Sequence, residues 1–135
     1  HVSWDDGIAI IHLSRVGFNA AALQELADLV DGVLVNPEMT GLVWTGEGST
    51  FSVGADVREF DRNAQAGTAR EFVETATGIL HPLFLRLHED PRPQVAAING
   101  VAAGGGLGLA LLADARIGAP EARLAAGYLG VGLAP

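Results

Sequence analysis

The sequence predicts an α/β domain in which buried strands alternate with helices. Short apolar runs that suit strands recur along the chain, and the segments between them carry apolar residues at helical spacing. Hydrophobic residues make up 49% of the 135 residues, which is enough to bury one core. We therefore expect a single domain over residues 1–135, with buried strands flanked by helices. The chain lacks an initial methionine and stops in mid-element, so we expect it to be the N-terminal part of a longer protein.

The first part of the chain predicts a hairpin, a helix and a strand. Apolar runs at Val2–Trp4 and Ile8–Ser14 flank Asp-Asp-Gly, and Asp-Gly suits a tight hairpin turn. Asn19 is a typical helix cap, and apolar residues then recur at helical spacing up to Leu34. Asn-Pro ends that helix, and Gly41–Thr45 is predicted to be a buried strand.

The remainder predicts helices separated by two more strands. After a loop, a short helix begins within the sequence ADVREF, and a longer one is expected over Thr68–His88. Pro82 should kink or break the longer helix. Gln94–Ile98 and Ala115–Gly118 are predicted strands, the glycine-rich segment between them turns, and Leu107–Ala113 is predicted to be a helix that is apolar all round.

Composition excludes several classes of function. The net charge of −8 argues against a nucleic-acid partner, which would need clustered positive charge. The chain has no cysteine and no lysine, which excludes thiol catalysis, disulfides and a lysine Schiff base. His81 and His88 are seven residues apart with no third ligand nearby, so we expect no metal. Acidic residues stand where a secretory signal would be cationic, so we expect a cytoplasmic protein.

The segment VAAINGVAAGGGLGLA, residues 95–110, is the most unusual part of the sequence. A membrane helix is disfavoured by its glycines, a phosphate loop would need a lysine, and the dinucleotide fingerprint fails because Leu109 replaces its third glycine. No Gly-x-Ser-x-Gly elbow of a serine hydrolase is present. Two interpretations stay open. Either the glycines expose N–H groups to an anion at a helix start, or they let two backbones pack closely.

A second loop favours the anion site. In STFSVGADVREF, residues 49–60, a strand leads to Gly54, and a helix begins near Ala55 and Asp56. Two such loops can supply two N–H donors to one oxygen, which is the arrangement of an oxyanion hole.

The two loops together resemble those of a known family. FSVGADVREF at residues 51–60 is followed by PQVAAINGVAAGGGLGLALLADARIGA at residues 93–119, and IIHLSR and FNA occur earlier in the chain. This pattern is similar, over essentially all 135 residues, to the crotonase superfamily of enoyl-CoA hydratases and isomerases. The resemblance implies the crotonase ββα spiral core and an acyl-coenzyme A thioester as substrate, with no permanently bound cofactor. It also implies trimers or pairs of trimers.

The resemblance assigns the two oxyanion donors to the backbone N–H groups of Ala55 and Gly105. Loss of a proton beside a thioester places negative charge on the thioester oxygen, which preplaced amides can stabilise. A side chain at Gly105 is therefore expected to impair the site through steric hindrance. Further residues expected to contact substrate are Arg15, Val16, Phe18, Ser52, Gly54, Asp56, Val57, Gly104, Gly108 and Tyr128. Arg15 and Arg58 are candidates for binding the phosphates of coenzyme A.

Alternatives remain for several of these residues. Either arginine is equally expected to be a solvated surface charge, and Asp56 is better placed to cap a helix than to act in catalysis. Asp114 is expected to be structural, and His12 a surface or hydrogen-bonded histidine.

The sequence departs from the hydratase pattern at two positions. Hydratases of this family use two glutamates to activate water and deliver a proton, and the motifs place Gly108 and Tyr128 at those positions. Gly108 is also expected to leave room for a larger acyl group. Moving a double bond needs one base only, and the ending YLGVGLAP resembles isomerase-type members, in which an aspartate follows the last proline. The resemblance thus favours an isomerase, with a hydratase or a non-catalytic acyl-CoA-binding protein as alternatives.

Overall fold

The chain forms two sheets that are flanked by four helices. The computed structural model describes residues 1–14 and 17–131. Five strands form one sheet in the order β1-β2-β3-β5-β7, and three form a second in the order β4-β6-β8. β1 pairs with β2 in antiparallel orientation, and all the other described strand pairs are parallel. The strands are β1 (Val2–Asp5), β2 (Ile8–Leu13), β3 (Gly41–Gly46), β4 (Thr50–Ser52), β5 (Gln94–Ile98), β6 (Val101–Ala103), β7 (Ala115–Gly118) and β8 (Arg123–Ala125). The helices are α1 (Ala20–Leu34), α2 (Val57–Gln65), α3 (Ala69–Glu89) and α4 (Gly105–Leu112), followed by a 3₁₀ turn at Tyr128–Val131.

The N-terminal half confirms the predicted hairpin, helix and strand. Asp6 and Gly7 in the hairpin turn both have positive φ, 43° and 81°, as a primed turn requires. The Asn19 side chain caps α1 by accepting a hydrogen bond from the Ala22 N–H at 2.9 Å. Trp44 on β3 is buried, and with α1 it contributes to the main core.

α3 runs through Pro82 without a break, so of the two predicted effects of this proline, a kink or a break, the break was wrong. A proline frees the carbonyl four residues earlier, which here belongs to Gly78. Both residues are exposed, where water can hydrate that carbonyl. α3 packs against α1 through buried residues that include Leu83 and Leu87.

The strand predicted before Gly54 is β4, whereas sequence analysis missed the other two strands of the second sheet, β6 and β8. Each is three residues long, too short to show the alternation typical of a strand. The glycine-rich segment therefore contains β6 and the start of α4 rather than a simple turn. α4 begins at Gly105, two residues before the predicted start, because close packing outweighs the poor helix propensity of glycine.

Asn99 joins the ends of the two sheets. Its Oδ1 accepts a hydrogen bond from the Gly46 N–H at 2.9 Å, and its Nδ2 donates to the Gly48 carbonyl at 2.9 Å. These bonds connect the turn between β5 and β6 to the loop before β4. The loops that lead into β4 and β6 are thereby held together.

Other predicted structural roles have the following outcomes. Asp114 accepts a hydrogen bond from the Gln94 N–H at 2.8 Å, as expected of a structural residue. His12 is hydrogen-bonded to Ser3 and stacks on His1. Trp4 is 44% exposed on the edge strand β1. Within residues 1–14 and 17–131, no helix has the length and apolarity needed to cross a membrane, and no three His, Asp or Glu side chains cluster as metal ligands would.

Candidate active site

The loops that precede α2 and α4 are in backbone contact. A Cβ atom added to Gly54 would lie 2.5 Å from the Gly105 nitrogen, and one added to Gly106 would overlap the backbone of Ser52. Gly54 also has φ +77°, a left-handed conformation that favours glycine. Close backbone packing is therefore one reason for the glycines. It is one of the two interpretations that the sequence left open for the glycine-rich segment.

The proposed donors at positions 55 and 105 are free of partners within the described part of the chain. The neighbouring amides are used: the Gly54 N–H donates to Ser52 Oγ at 3.1 Å, and the Asp56 N–H donates to the Phe18 carbonyl at 3.0 Å. Neither the Ala55 N–H nor the Gly105 N–H donates a hydrogen bond to any described residue. Gly105 is the first residue of α4, where a helix leaves its N–H groups unpaired.

Ser52 fixes the shape of the first loop. Its side chain is buried, with 2% of the residue exposed, and its hydroxyl accepts the hydrogen bond from the Gly54 N–H. The parallel bridge between Phe18 and Ala55 holds the other side of the loop, because the Phe18 N–H donates to the Gly54 carbonyl at 2.8 Å. The direction of the Ala55 amide is thus set by its two neighbours.

Both unpaired amides belong to residues that line one cavity. Its volume is about 400 Å³, within the range of about 300–1,000 Å³ that is common for small-molecule sites. The lining is mostly apolar and comes from α1, α2, α3, α4 and the two loops. The lining residues are Phe18, Leu23, Leu26, Ser52, Gly54, Ala55, Phe60, Phe72, Val73, Ala76, Thr77, Leu80, His81, Phe84, Gly105, Gly106, Leu109 and Tyr128.

Six of the twelve predicted donor and contact residues reach this cavity. Those that line it are Phe18, Ser52, Gly54, Ala55, Gly105 and Tyr128. The described residues Asp56, Val57, Gly104 and Gly108 are not in its wall. Arg15 and Val16 lie outside the described residues, as does Pro135 with the sequence after it.

Asp56 and Val57 have roles outside the cavity. Asp56 caps α2, since its carboxylate accepts a hydrogen bond from the Arg58 N–H at 2.9 Å. Val57 is 56% exposed and borders an open depression of about 660 Å³ on α2, together with Arg58. Phe60 lines both the depression and the cavity.

Gly108 packs against Phe84 instead of opening extra space. A Cβ atom at Gly108 would lie 3.1 Å from Cε2 of Phe84, a contact tight enough to move the ring. The ring of Phe84 itself forms part of the cavity wall. The ring of Phe84 thus occupies the space beside Gly108, and the expectation that Gly108 leaves room for a larger acyl group stays a prediction.

Gly105 differs from its neighbours in tolerating a side chain within the protein. An added Cβ would contact Leu80 at 3.4 Å and the Gly54 Cα at 3.5 Å, which are ordinary van der Waals distances. Steric hindrance at this position can therefore arise only against a bound ligand. The steric prediction for Gly105 remains a prediction about substrate.

Sequence analysis missed the contribution of α3 to the site. Val73, Thr77, Leu80, His81 and Phe84 follow one another at helical spacing and all line the cavity. No residue of this helix was among the predicted contact residues, and His81 was considered only as a metal ligand. The signal that could have found it is a titratable side chain within an otherwise apolar helical stripe.

Comparison with known proteins gives consistent matches. The family model described as enoyl-CoA hydratase/isomerase matches residues 4–135. A fatty acid oxidation complex subunit alpha of Acinetobacter baylyi is 35% identical over 96% of this chain and 18% of its own length. A crotonyl-CoA hydratase of Syntrophomonas wolfei is 35% identical over 97% of this chain and 50% of its own length.

A solved structure has the same fold. The enoyl-CoA hydratase of Polaromonas sp. JS666 superposes with a TM-score of 0.88 at 27% identity, over 100% of this chain and 53% of that one. The chain thus spans about half the length of that hydratase and of the Syntrophomonas relative, and a smaller share of the Acinetobacter subunit.

Proposed function

This chain belongs to the enoyl-CoA hydratase/isomerase family, and on that basis we propose that it binds an acyl-coenzyme A thioester and stabilises its enolate. The proposed oxyanion hole consists of the backbone N–H groups of Ala55 and Gly105. The thioester oxygen would accept both hydrogen bonds as negative charge develops on it.

One observation carries this proposal: two unpaired amides from separate loops belong to residues that line the same cavity. Preplaced donors at a developing oxyanion typically lower the barrier by about 3–4 kcal/mol each. A mostly apolar wall keeps water away from the oxygen and so strengthens both hydrogen bonds. The packing between the two loops keeps the donors at a fixed separation without any ligand.

The cavity and the depression on α2 suit different parts of the thioester. The acyl group would occupy the apolar cavity, and the phosphates would approach Arg58 in the open depression. Phe60, which lines both, would lie beside the linker between them. This orientation places the charged end of the ligand near solvent and the apolar end inside.

The wall of the cavity favours isomerisation over hydration. Hydration needs two positioned acid–base groups for water and proton, and no Asp or Glu is among the described lining residues. At one hydratase position, Gly108, the Cβ of a glutamate would lie 3.1 Å from Cε2 of Phe84, so the ring would have to shift. Moving a double bond needs only one group that takes a proton and returns it elsewhere.

A three-substrate assay tests the proposal. Purified protein is offered 3-enoyl-CoA, 2-enoyl-CoA and a ring-epoxide CoA thioester, with products separated by chromatography and identified by mass. We expect the 3-enoyl or the ring-epoxide substrate to be isomerised without a change in mass. Turnover of the 2-enoyl substrate alone, with a gain of 18 Da for added water, would reverse the preference for isomerisation.

A hydratase is the second candidate, because relatives at 35% identity include a crotonyl-CoA hydratase and a fatty acid oxidation subunit. Those names also support a role in fatty acid breakdown. The same assay separates the candidates. Binding of coenzyme A thioesters without any turnover would identify a non-catalytic acyl-CoA-binding protein.

Self-association as a trimer or a pair of trimers is part of the same proposal. Three exposed apolar residues on α4, β7 and β8 support an interface: Leu111 (58% exposed), Ile117 (67%) and Leu124 (56%). Light scattering on the purified protein measures its molar mass and so its oligomeric state. A monomeric mass would contradict the proposed assembly.

A further inference from the structure

We propose that His81 is an acid–base residue of this cavity, taking a proton from the carbon beside the thioester and returning it to another carbon. This inference rests on the proposed enolate function. It assigns a catalytic role to a residue of α3, whereas the two proposed donors lie at the starts of α2 and α4.

The chemistry of the cavity wall leads to His81. Its described lining contains four side chains with polar atoms, Ser52, Thr77, His81 and Tyr128, and no Asp, Glu or Arg. The hydroxyls of Ser52 and Thr77 already bond the Gly54 N–H and the Val73 carbonyl. Histidine is the side-chain type that ordinarily gains and loses a proton between about pH 5 and 8, whereas a phenol does so near pH 10.

The position of His81 on its helix suits this role. It follows Thr77 by four residues and precedes Phe84 by three, so it lies on the helical stripe that forms the wall. It is also exposed to solvent, so a proton held on its ring can exchange with water. His88, seven residues further along α3, is equally exposed but does not line the cavity.

The elements packed against α3 bring no described charged side chain into the wall. From α1, Asp31 forms an ion pair with Arg86 of α3 at 2.8 Å, and only the leucines of α1 line the cavity. From α2, Arg62 pairs with Glu59 at 2.6 Å, and only Phe60 reaches the cavity.

The remaining contacts are similarly uncharged. α4 carries no charged residue, and the 3₁₀ turn contributes Tyr128. Of the side chains in the described wall, His81 is therefore the one whose type suits general acid–base catalysis and which has no charged neighbour there.

The step balances in atoms and electrons. For a 3-enoyl thioester, a ring nitrogen of neutral His81 forms an N–H bond with a proton from C2. The electrons of that C–H bond delocalise through C2 onto the thioester oxygen, giving a dienolate held by the Ala55 and Gly105 amides. The imidazolium then returns the proton to C4. The double bond moves from C3–C4 to C2–C3, and His81 ends neutral.

Hydrogen exchange in D₂O tests this step without requiring a full turnover. Purified protein is mixed with a saturated acyl-CoA, butyryl-CoA, and deuterium entry beside the thioester is followed by NMR. The variants are His81→Ala and His81→Gln, with His88→Gln as the matched control on the same helix. Thioester affinity is measured in parallel by calorimetry, and folding by circular dichroism.

We expect His81→Ala and His81→Gln to slow exchange by about 10²-fold or more, with unchanged affinity, while His88→Gln behaves as wild type. Added imidazole should partly restore exchange in His81→Ala, which a merely structural role would not allow. The dependence of the exchange rate on pH should change in His81→Gln and stay as in wild type in His88→Gln.

Two other outcomes have separate meanings. Wild-type exchange that survives in both His81 variants, or is lost in Tyr128→Phe instead, would overturn the role of His81 alone. If the wild-type protein catalysed no exchange on a thioester that it binds, the enolate function would fail, and the role of His81 with it.

Discussion

Gly54 and Gly105 lie in direct backbone contact, so close that a Cβ atom on Gly54 would come within 2.5 Å of the Gly105 nitrogen. The contact links the loops that carry the two proposed donors, Ala55 and Gly105. It makes the spacing of the donors a property of the folded chain, set before any substrate binds. Preorganisation of this kind is what allows backbone amides to stabilise an oxyanion without reorganising during the reaction.

Gly54→Ala should therefore destabilise the protein and reduce activity together. The left-handed φ of +77° costs an alanine about 1 kcal/mol, and the overlap with Gly105 adds about 1–3 kcal/mol. Gly48→Ala is the matched control, because Gly48 has φ +66° but no atom within 4 Å of an added Cβ. Urea unfolding measures both variants. Equal losses in the two would show that the contact between the loops contributes nothing.

Gly105→Pro should remove one proposed donor while keeping the helix. Proline is accepted at the first position of a helix, and it has no N–H. Gly105→Ala keeps the N–H and places a Cβ at the same point, so the ratio of the two rates isolates the donor. We expect Gly105→Pro to be about 10²–10³-fold slower than Gly105→Ala in exchange or turnover. Similar rates with similar stability would remove Gly105 from the oxyanion hole.

The parts of the fold that the sequence predicted are those with strong local signals. The hairpin at Asp6 and Gly7 and the Asn19 cap depend on residues next to one another, and both are confirmed. The strands β4, β6 and β8 depend on pairing between distant segments, with β4 and β8 on either side of β6. Three residues carry too little pattern to reveal such pairing, so β6, β8 and their pairing with β4 were missed.

The same distinction between local signals and long-range packing applies to the candidate site. The two loops could be located from the sequence because Gly54 and Gly105 are local signals. Glycine is needed at few kinds of position, such as a left-handed turn or a close approach of two backbones. The wall from α3 could not be assigned, because Leu80, His81 and Phe84 show the spacing of any core-facing helix. Only the packing of α3 over the start of α4 distinguishes a cavity wall from a filled core. Likewise, nothing near Gly108 in the sequence indicates that Phe84 occupies the space beside it.

Asp90→Ala should destabilise the protein in a manner that depends on pH. The hydrogen bond from Arg92, at 2.6 Å, is the main reason that the pKa of the Asp90 carboxyl lies below its ordinary value. Arg92 also donates to the Leu34 carbonyl at 2.8 Å, so the pair ties the end of α1 to the segment before β5. We expect a loss of about 1–2 kcal/mol at pH 7, less than for a fully buried pair because solvent screens the charges.

The sign of the pH effect follows from the lowered pKa of Asp90. Because the unfolded carboxyl binds protons more readily than the folded one, the stabilisation is complete above about pH 4 and is lost as the pH falls below it. The difference in free energy of unfolding between wild type and Asp90→Ala should therefore shrink below about pH 4. Glu74→Gln, which breaks the exposed pair with Arg70, should cost under about 0.5 kcal/mol. A difference for Asp90→Ala that stays constant down to pH 2 would contradict the ion pair.

Gly108→Ala should alter the selectivity for acyl groups, because its Cβ would push against Phe84 at 3.1 Å and so move the cavity wall. Replacing a helical glycine by alanine ordinarily stabilises a protein by about 1 kcal/mol. Gly78→Ala, in α3 with no atom within 4 Å of an added Cβ, should show that gain, and Gly108→Ala should show less of it.

In steady-state kinetics across acyl chain lengths, Gly108→Ala should change the ratio of kcat/KM between long and short chains by about tenfold, since one methylene in an apolar pocket has an effect of that size. Gly78→Ala should leave the ratio unchanged. An unchanged ratio in Gly108→Ala as well would mean that the Phe84 ring does not contact the acyl group.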